Sequence, residues 1–343
     1  MQNRKHPLAL AFTATLGLGM VLGATRAADA PVAVAPASTI TRLVLLGTTG
    51  GPRPNPGRSQ PANLLVVNGV NYLVDAGNGV GTQLAKLGIV PAGIQDIFIT
   101  HNHDDHNADW GTLMGMAWSL GSRRPMTVYG PAGTEMMRKG FLMYFAPNVA
   151  ARYLEGPQNY MPAEKFIQAH DYKIPGKGPA VVFQDKNVKV TAMENCHYHL
   201  PKGSPGYGWQ HSYSLRFQTP DKIIVFSGDT GPCGDVIPTI ARGADILVHE
   251  LIDLDVIQAQ INREVADGQL PASEAEGMMN HMRTEHSTPE EVGRVAQAAG
   301  VKLLVLSHLV IGPENPQTLQ KVIDRIHTRY SGPVVIGHDL QKF

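Results

Sequence analysis

The residues best equipped for chemistry sit in one short block, His101-Asn102-His103-Asp104-Asp105-His106. Imidazole nitrogen and carboxylate oxygen, without thiolate, suit zinc, with manganese or iron as alternatives. His101 and His103, two apart on an extended loop, can converge on one ion. Asp105 and His106, opening the next helix, can turn towards a second. Two ions about 3.5–4 Å apart need a bridging carboxylate and a bridging water that they jointly acidify. Asp229 is a natural bridge, and His197 and His308 can complete the two spheres. A lone histidine is usually a satisfied surface or core imidazole, but a six-residue cluster with partners elsewhere in the chain is not read that way.

These groups need rigid support, and apolar runs provide it. Strands are predicted over 42–46, 63–67, 71–74, 94–100, 126–129, 188–191, 212–217, 222–226, 246–248, 303–306 and 334–336. Three of them deliver His or Asp at their carboxyl ends: Ile97–Thr100 runs into His101, Ile224–Gly228 into Asp229, and Leu304–Ser307 into His308. Ligand sites of layered α/β proteins favour that edge. Between the strands lie helical patterns, the clearest with Thr288 as N-cap, Pro289 in the first helical position, Glu291 three after the cap, and a stop at Gly300.

The chain has 343 residues, 43% of them hydrophobic and 17% charged, enough for a sizeable core. Residues 1–30 have the three parts of a secretory signal: basic Arg4, Lys5 and His6, an apolar stretch from Leu8 to Ala24, and small residues at Ala28-Asp29-Ala30. Residues 31–39 read as a linker and 40–343 as one domain. The mature protein is expected to be periplasmic or secreted, with no membrane anchor after cleavage. Without the leader, 26 basic and 28 acidic residues remain, which gives no general attraction for polyanions. Two cysteines, Cys196 and Cys233, each adjoin a candidate metal-binding segment. Export allows a bridge between them, but the favoured expectation is two buried free thiols.

From about residue 42 onward the chain resembles the metallo-β-lactamase fold superfamily. The resemblance rests on the Gly-rich opening Leu46–Gly51, on Val74-Asp75-Ala76-Gly77, on the block at 101–106, on Asn195-Cys196-His197-Tyr198, on Ser227-Gly228-Asp229-Thr230, and on His308. It implies an α/β fold, a four-layer αββα sandwich with two metal ions at one edge. One site would be His101, His103 and His197, the other Asp105, His106 and His308, with Asp229 bridging. Asp75 would orient a ligand histidine from behind. All seven ligand positions are filled. Within the superfamily the chain is similar to the branch of tRNase Z and its related secreted arylsulfatases, on Leu46–Gly51, on Asp75-Ala76-Gly77 with Gln83, and on His286-Ser287-Thr288. That likeness places His286 beside the metals, protonating or stabilising the leaving oxygen. His286 and Asp105 are thus the candidate catalytic residues.

The tRNA-processing enzymes carry a long arm between the third histidine motif and the bridging Asp, whereas only 31 residues separate His197 from Asp229 here. With the leader and the neutral charge, this leads to an expectation of a small-molecule substrate and no nucleic-acid partner. The expected activity is hydrolysis by a metal-bridging hydroxide of an aryl or alkyl sulfate or a phosphodiester. A lactone or β-lactam is the alternative, and an exported zinc-binding protein without turnover is the alternative of another class. Two Met-rich segments, 136–161 and Met278, Met279 and Met282, could cover the metals or could be core, and the first, with the resemblance, suggests a homodimer. Lys202 lies in a Gly/Pro-rich loop and reads as a solvated side chain. His199, His211 and His281 receive no role.

Overall fold

The computed structural model describes residues 41–152, 155 and 160–343. The leader expected over 1–30 and the linker over 31–39 lie outside the described residues. Six strands form the first sheet, in sequence order: β1 (Arg42–Gly47), β2 (Ala62–Val67), β3 (Val70–Val74), β4 (Ile94–Phe98), β5 (Met126–Gly130) and β6 (Ile167–Asp171). Seven form the second: β7 (Ala180–Gln184), β8 (Lys189–Glu194), β9 (Tyr213–Gln218), β10 (Ile223–Phe226), β11 (Ile246–Ile252), β12 (Leu303–Val310) and β13 (Val334–Ile336). In each sheet an antiparallel meander gives way to parallel strands. The change falls at the β3/β4 pair in the first sheet and at β10/β11 in the second.

Side-chain alternation explains why the sheets stack. Along β1, Leu43 and Leu45 face one way and Val44 and Leu46 the other, as a period of two requires. Leu43, Leu45, Leu65 and Phe98 meet Val190, Leu215, Phe217 and Phe226 between the sheets. The outer faces are covered by helices: α1 (Val80–Lys86), α2 (Asp104–Asn107), α3 (Trp110–Ser119), α4 (Thr134–Arg152) and α5 (Ala163–Phe166) come from the first half. The second half supplies α6 (Val236–Ile240), α7 (Leu254–Ala266), α8 (Ala272–Glu285), α9 (Pro289–Ala299) and α10 (Pro316–His327). Leu84, Trp110 and Met114 seal the first sheet, and Val292, Val295, Ala296 and Ile326 seal the second. The result is the expected αββα sandwich, with hydrophobic burial as its main driving force.

Helix α9 forms as its sequence predicts. The Thr288 side chain accepts from the Glu291 N–H, Pro289 opens the helix, and Gly300 closes it in the left-handed conformation at φ 63°. The Met-rich segments turn mostly inward. Met137, Phe141 and Phe145 of α4 pack towards α3, while Met136, Met143 and Tyr144 stay exposed. Met279 and Met282 pack with Ile257, Ile261 and Leu270 in a small core that the α7–α8 hairpin builds for itself. Among the described residues no helix is long and apolar enough to cross a membrane.

One expectation is corrected here. Cys196 and Cys233 are bonded to each other, with Cα atoms 5.4 Å apart, rather than free. The pairing follows from position: Cys196 leads into His197, Cys233 follows Asp229 by four residues, and the two segments come together at the same sheet edge. A backbone bond from the Gly231 N–H to the Cys196 carbonyl, 3.2 Å, already joins them.

Candidate metal centre

The carboxyl end of β4 carries Ile99 and Thr100 and then releases the chain into the histidine block. The turn is fixed from below by Asp75, which follows β3. Its carboxylate accepts from the Thr100 N–H at 2.8 Å and from the Thr100 hydroxyl at 3.0 and 3.1 Å. It also lies 2.9 Å from His106 Nδ1. That bond leaves His106 Nε2 to face the centre, the orienting role expected of Asp75. The block packs so closely on residue 77 that a Cβ there would overlap the Asp105 carbonyl, so only glycine fits. Asp75 and His308 have φ of 60° and 48°, two of the four non-glycine residues with positive φ among those described. Backbone held in this sparsely populated region concentrates at functional sites.

The second sheet brings its groups from separate strand ends. His197 follows β8, Asp229 follows β10, and His308 lies within β12. His197 Nδ1 donates to the Glu285 carbonyl at 2.9 Å, which turns Nε2 inward. Two sets of ligand atoms match the expected sites, each within 4.8 Å of one another: His101, His103, His197 and Asp229 in one, and Asp105, His106 and His308 in the other; a third set, Asp229, His286 and His308, overlaps them. Asp229 reaches both. Its carboxylate oxygens lie 3.2 Å from His106 Nε2, 3.0 Å from His308 Nε2, 3.8 Å from His101 Nε2 and 4.0 Å from His197 Nε2. Asp105 lies 3.4 Å from His308 Nε2 and accepts from the Gly51 N–H at 2.9 Å, so the Gly-rich opening also touches the centre.

Two observations show that these residues fit a pair of cations. Nε2 of His101, His106 and His308 and Oδ1 of Asp229 are buried without a hydrogen-bond partner among the described residues, despite the short distances between them. Buried polar atoms so placed need a partner of another kind, which a cation between them would be. The electrostatics agree. Burial opposes charge on each histidine, and at His101, His103 and His197 it prevails, lowering their pKa to give neutral donors. At His106 and His308 burial is outweighed by Asp229 and Asp105. His106 is held well above the ordinary value, and His308 is pushed up to about 10. Burial would also raise Asp229, yet His308 and His106 hold it well below the carboxylate range. Positive charge is favoured where the second set converges.

His286, the C-cap of α8, stands beside this centre, its ring 5.1 Å from that of His197 and 5.7 Å from that of His308. Its Nδ1 lies 3.2 Å from both carboxylate oxygens of Glu250. Burial lowers the His286 pKa, but Glu250 and Asp229 overcome it and the net shift is upward. Glu250 was not anticipated. Buried at the end of β11, it also accepts from the Thr230 N–H at 2.9 Å and the Ser287 N–H at 3.2 Å, tying the Asp229 loop to the His286 segment. The signal was present: Ile246-Leu247-Val248 runs into His249-Glu250 as other apolar strands run into His or Asp. All nine predicted site residues thus meet at one edge. Lys202 stays on its exposed loop, and His211 pairs with Glu194 at 2.7 Å.

The family described as "Beta-lactamase superfamily domain" matches residues 70–309. Ribonuclease Z of Mycobacterium bovis is 29% identical over 305 residues, covering 88% of this chain and 96% of that relative. Among solved structures, the metallo-beta-lactamase fold protein YhfI from Bacillus subtilis aligns with a TM-score of 0.60 at 18% identity, covering 88% and 98% of the two chains. The short form of human tRNase Z aligns at 0.57 and 23%, with the same coverage. These matches correct the expectation that nucleic acid is not a partner. A ribonuclease Z matches 88% of this chain over 96% of its own length, so the short connection between His197 and Asp229 and the neutral net charge do not exclude nucleic acid. A total charge also says nothing of a local basic surface. With the match spanning most of the domain and two sets of metal-binding side chains at the sheet edge, this chain belongs to the metallo-β-lactamase superfamily and is a metal-dependent hydrolase.

Proposed function

We propose that the protein is an exported dinuclear zinc enzyme that hydrolyses phosphodiesters or sulfate esters. The observation that carries this reading is Asp229, one buried carboxylate in reach of both sets of donors, with the His286–Glu250 pair alongside. His101, His103 and His197 would hold one ion, Asp105, His106 and His308 the other, and Asp229 would join them. The donor set is nitrogen and oxygen, as suits zinc, and the only cysteines are tied to each other. When bound, the two ions supply Lewis acidity for the ester oxygen and an acidified water as nucleophile.

The protein's own groups complete the chemistry. Glu250 fixes the His286 ring through Nδ1, so Nε2 is the edge that can pass a proton to the leaving oxygen. The upward shift of its pKa, to which Glu250 contributes most against burial, favours the protonated ring. Asp105, held by the Gly51 N–H, keeps its carboxylate aligned for the second ion. The disulfide supports the exported location, because such bonds persist mainly in oxidising compartments.

The test is a hydrolysis panel on zinc-loaded protein and its His286→Ala variant: bis-4-nitrophenyl phosphate, 4-nitrophenyl sulfate, a chromogenic β-lactam, an acyl lactone and a structured RNA. RNA is included because the curated relatives are ribonuclease Z proteins. The expected result is turnover of the diester or the sulfate, loss on chelation, and a fall in kcat of about 10²-fold or more in the variant. Turnover of the lactam or lactone alone, unaffected by His286→Ala, would overturn the reading.

A further inference from the structure

The last turn of α8 does more than end in His286. Its backbone lies so close to the Asp229 loop that a Cβ on Gly231 would overlap the Thr284 carbonyl. The next carbonyl, of Glu285, receives His197 Nδ1. The Glu285 side chain reaches back one turn, to 3.0 Å from His281 Nδ1. One residue therefore touches two imidazoles, one through its backbone and one through its carboxylate. The His281 ring lies 6.4 Å from that of His197 and 5.8 Å from that of His286.

His281 belongs to neither set of metal donors. Its side chain is 39% exposed, against 9% for His286, so it stands at the mouth of the centre rather than inside it. A His–Glu pair four residues apart on a helix is often no more than a solvated surface contact. Here the Glu285 side chain is only 15% exposed and its backbone carbonyl is tied to His197, so the pair sits on a segment fixed against the centre rather than on an outlying turn. Nδ1 faces the Glu285 carboxylate, and Nε2 has no hydrogen-bond partner among the described residues. An imidazole N–H at Nε2 can donate to whatever stands in the mouth.

We propose that His281 is a substrate-positioning residue that grips an anionic oxygen of the ester, on the side away from the metals, with the Glu285 carboxylate behind the ring. This rests on the ester-hydrolase reading above and narrows it: the preferred substrate keeps a negative charge outside the reacting bond. A phosphodiester or sulfate monoester has that charge, whereas a neutral carboxylic ester does not.

The experiment compares zinc-loaded wild type with His281→Ala and His281→Gln. Zinc content, binding of inorganic phosphate by calorimetry, and kcat and KM for bis-4-nitrophenyl phosphate and neutral 4-nitrophenyl acetate are measured. In His281→Ala, zinc content should hold, while the phosphate Kd and the diester KM rise about tenfold, the effect of one charge-assisted hydrogen bond. The diester kcat and the acetate KM should stay within about threefold of wild type. His281→Gln, whose amide can still donate, should recover part of the loss. The inference is overturned if phosphate binding is unchanged in the alanine variant, if charged and neutral esters suffer alike, if zinc is lost, or if wild type binds no phosphate. Calorimetry needs no turnover, so failure of the hydrolase reading in the ester assays remains separate from failure of the role given to His281.

Discussion

The two sheets supply the centre in different ways. The first delivers four candidate ligands, His101, His103, Asp105 and His106, from one short loop, braced by a single carboxylate, Asp75. The second delivers His197, Asp229 and His308 from three strand ends, and braces them with groups far away in sequence: the Glu285 carbonyl, Glu250 and the Cys196–Cys233 bond. A contiguous block can be positioned by the loop that contains it. Dispersed ligands depend on the packing of whole elements, so their supports are both more numerous and more distant. The second half is therefore where proton handling and substrate contact accumulate, with Glu250, His286 and His281 all on it.

Asp229 is where the comparison breaks most sharply, because both halves converge on it. Asp229→Ala should reduce bound zinc to roughly one ion per chain or fewer and lower kcat/KM by about 10³-fold, read by metal analysis and ester kinetics. Retention of both ions would show that each set of donors holds its ion without the shared carboxylate. The two braces come next. Asp75→Asn should weaken zinc binding by about 10- to 100-fold, since it releases His106. Glu250→Gln keeps an oxygen for the Thr230 and Ser287 N–H groups but loses the carboxylate against His286, so it should leave zinc content intact and lower kcat by about 10²-fold. If the two variants behave alike, the distinction between a brace on a ligand and a brace on the acid fails.

The smallest effect concerns the far end of the strand that feeds the block. Asp96, buried in β4, has its pKa raised to about 6, chiefly by burial and further by Asp185, with Arg124 opposing. A raised folded-state value means that the charged form destabilises the fold. The penalty is absent below the unfolded pKa and fully present once pH exceeds about 6. Asp96→Asn should therefore stabilise the protein by about 1–2 kcal/mol at pH 7.5, read as a higher Tm, with the gain fading towards pH 4.5. Zinc affinity should not change, because Asp75 and Thr100 isolate the ligand end of the strand.

The same contrast governs what was legible in the sequence. The block at 101–106 announces itself through composition, and the apolar runs before Asp229 and His308 mark them as strand-end residues. Strands β6 and β7, absent from the expected set, are each the edge of a sheet and only partly buried: Ile167–Asp171 ends in His and Asp, whereas Ala180–Gln184 does carry an apolar run, Ala180–Phe183. The apolar run Ile246–Val248 leads into Glu250 as well, but its role as a brace depends on contacts with Thr230, His286 and Ser287 that no local pattern shows. Glu285 and His281 could not be found that way at all. Their importance comes from where the α7–α8 hairpin docks, and tertiary packing has no signature in a local pattern. The cysteines were misjudged for the same reason: two residues 37 apart are neighbours only because the sheet edge makes them so.

The disulfide has a consequence for metal selection. A thiolate is a softer donor than imidazole or carboxylate and binds zinc and copper(I) avidly. Cys196 precedes His197 and Cys233 lies four residues past Asp229, so two thiolates here would be soft donors close in sequence to two of the candidate ligands. The bridge takes both out of play, and every set of candidate metal donors among the described residues is built from nitrogen and oxygen alone.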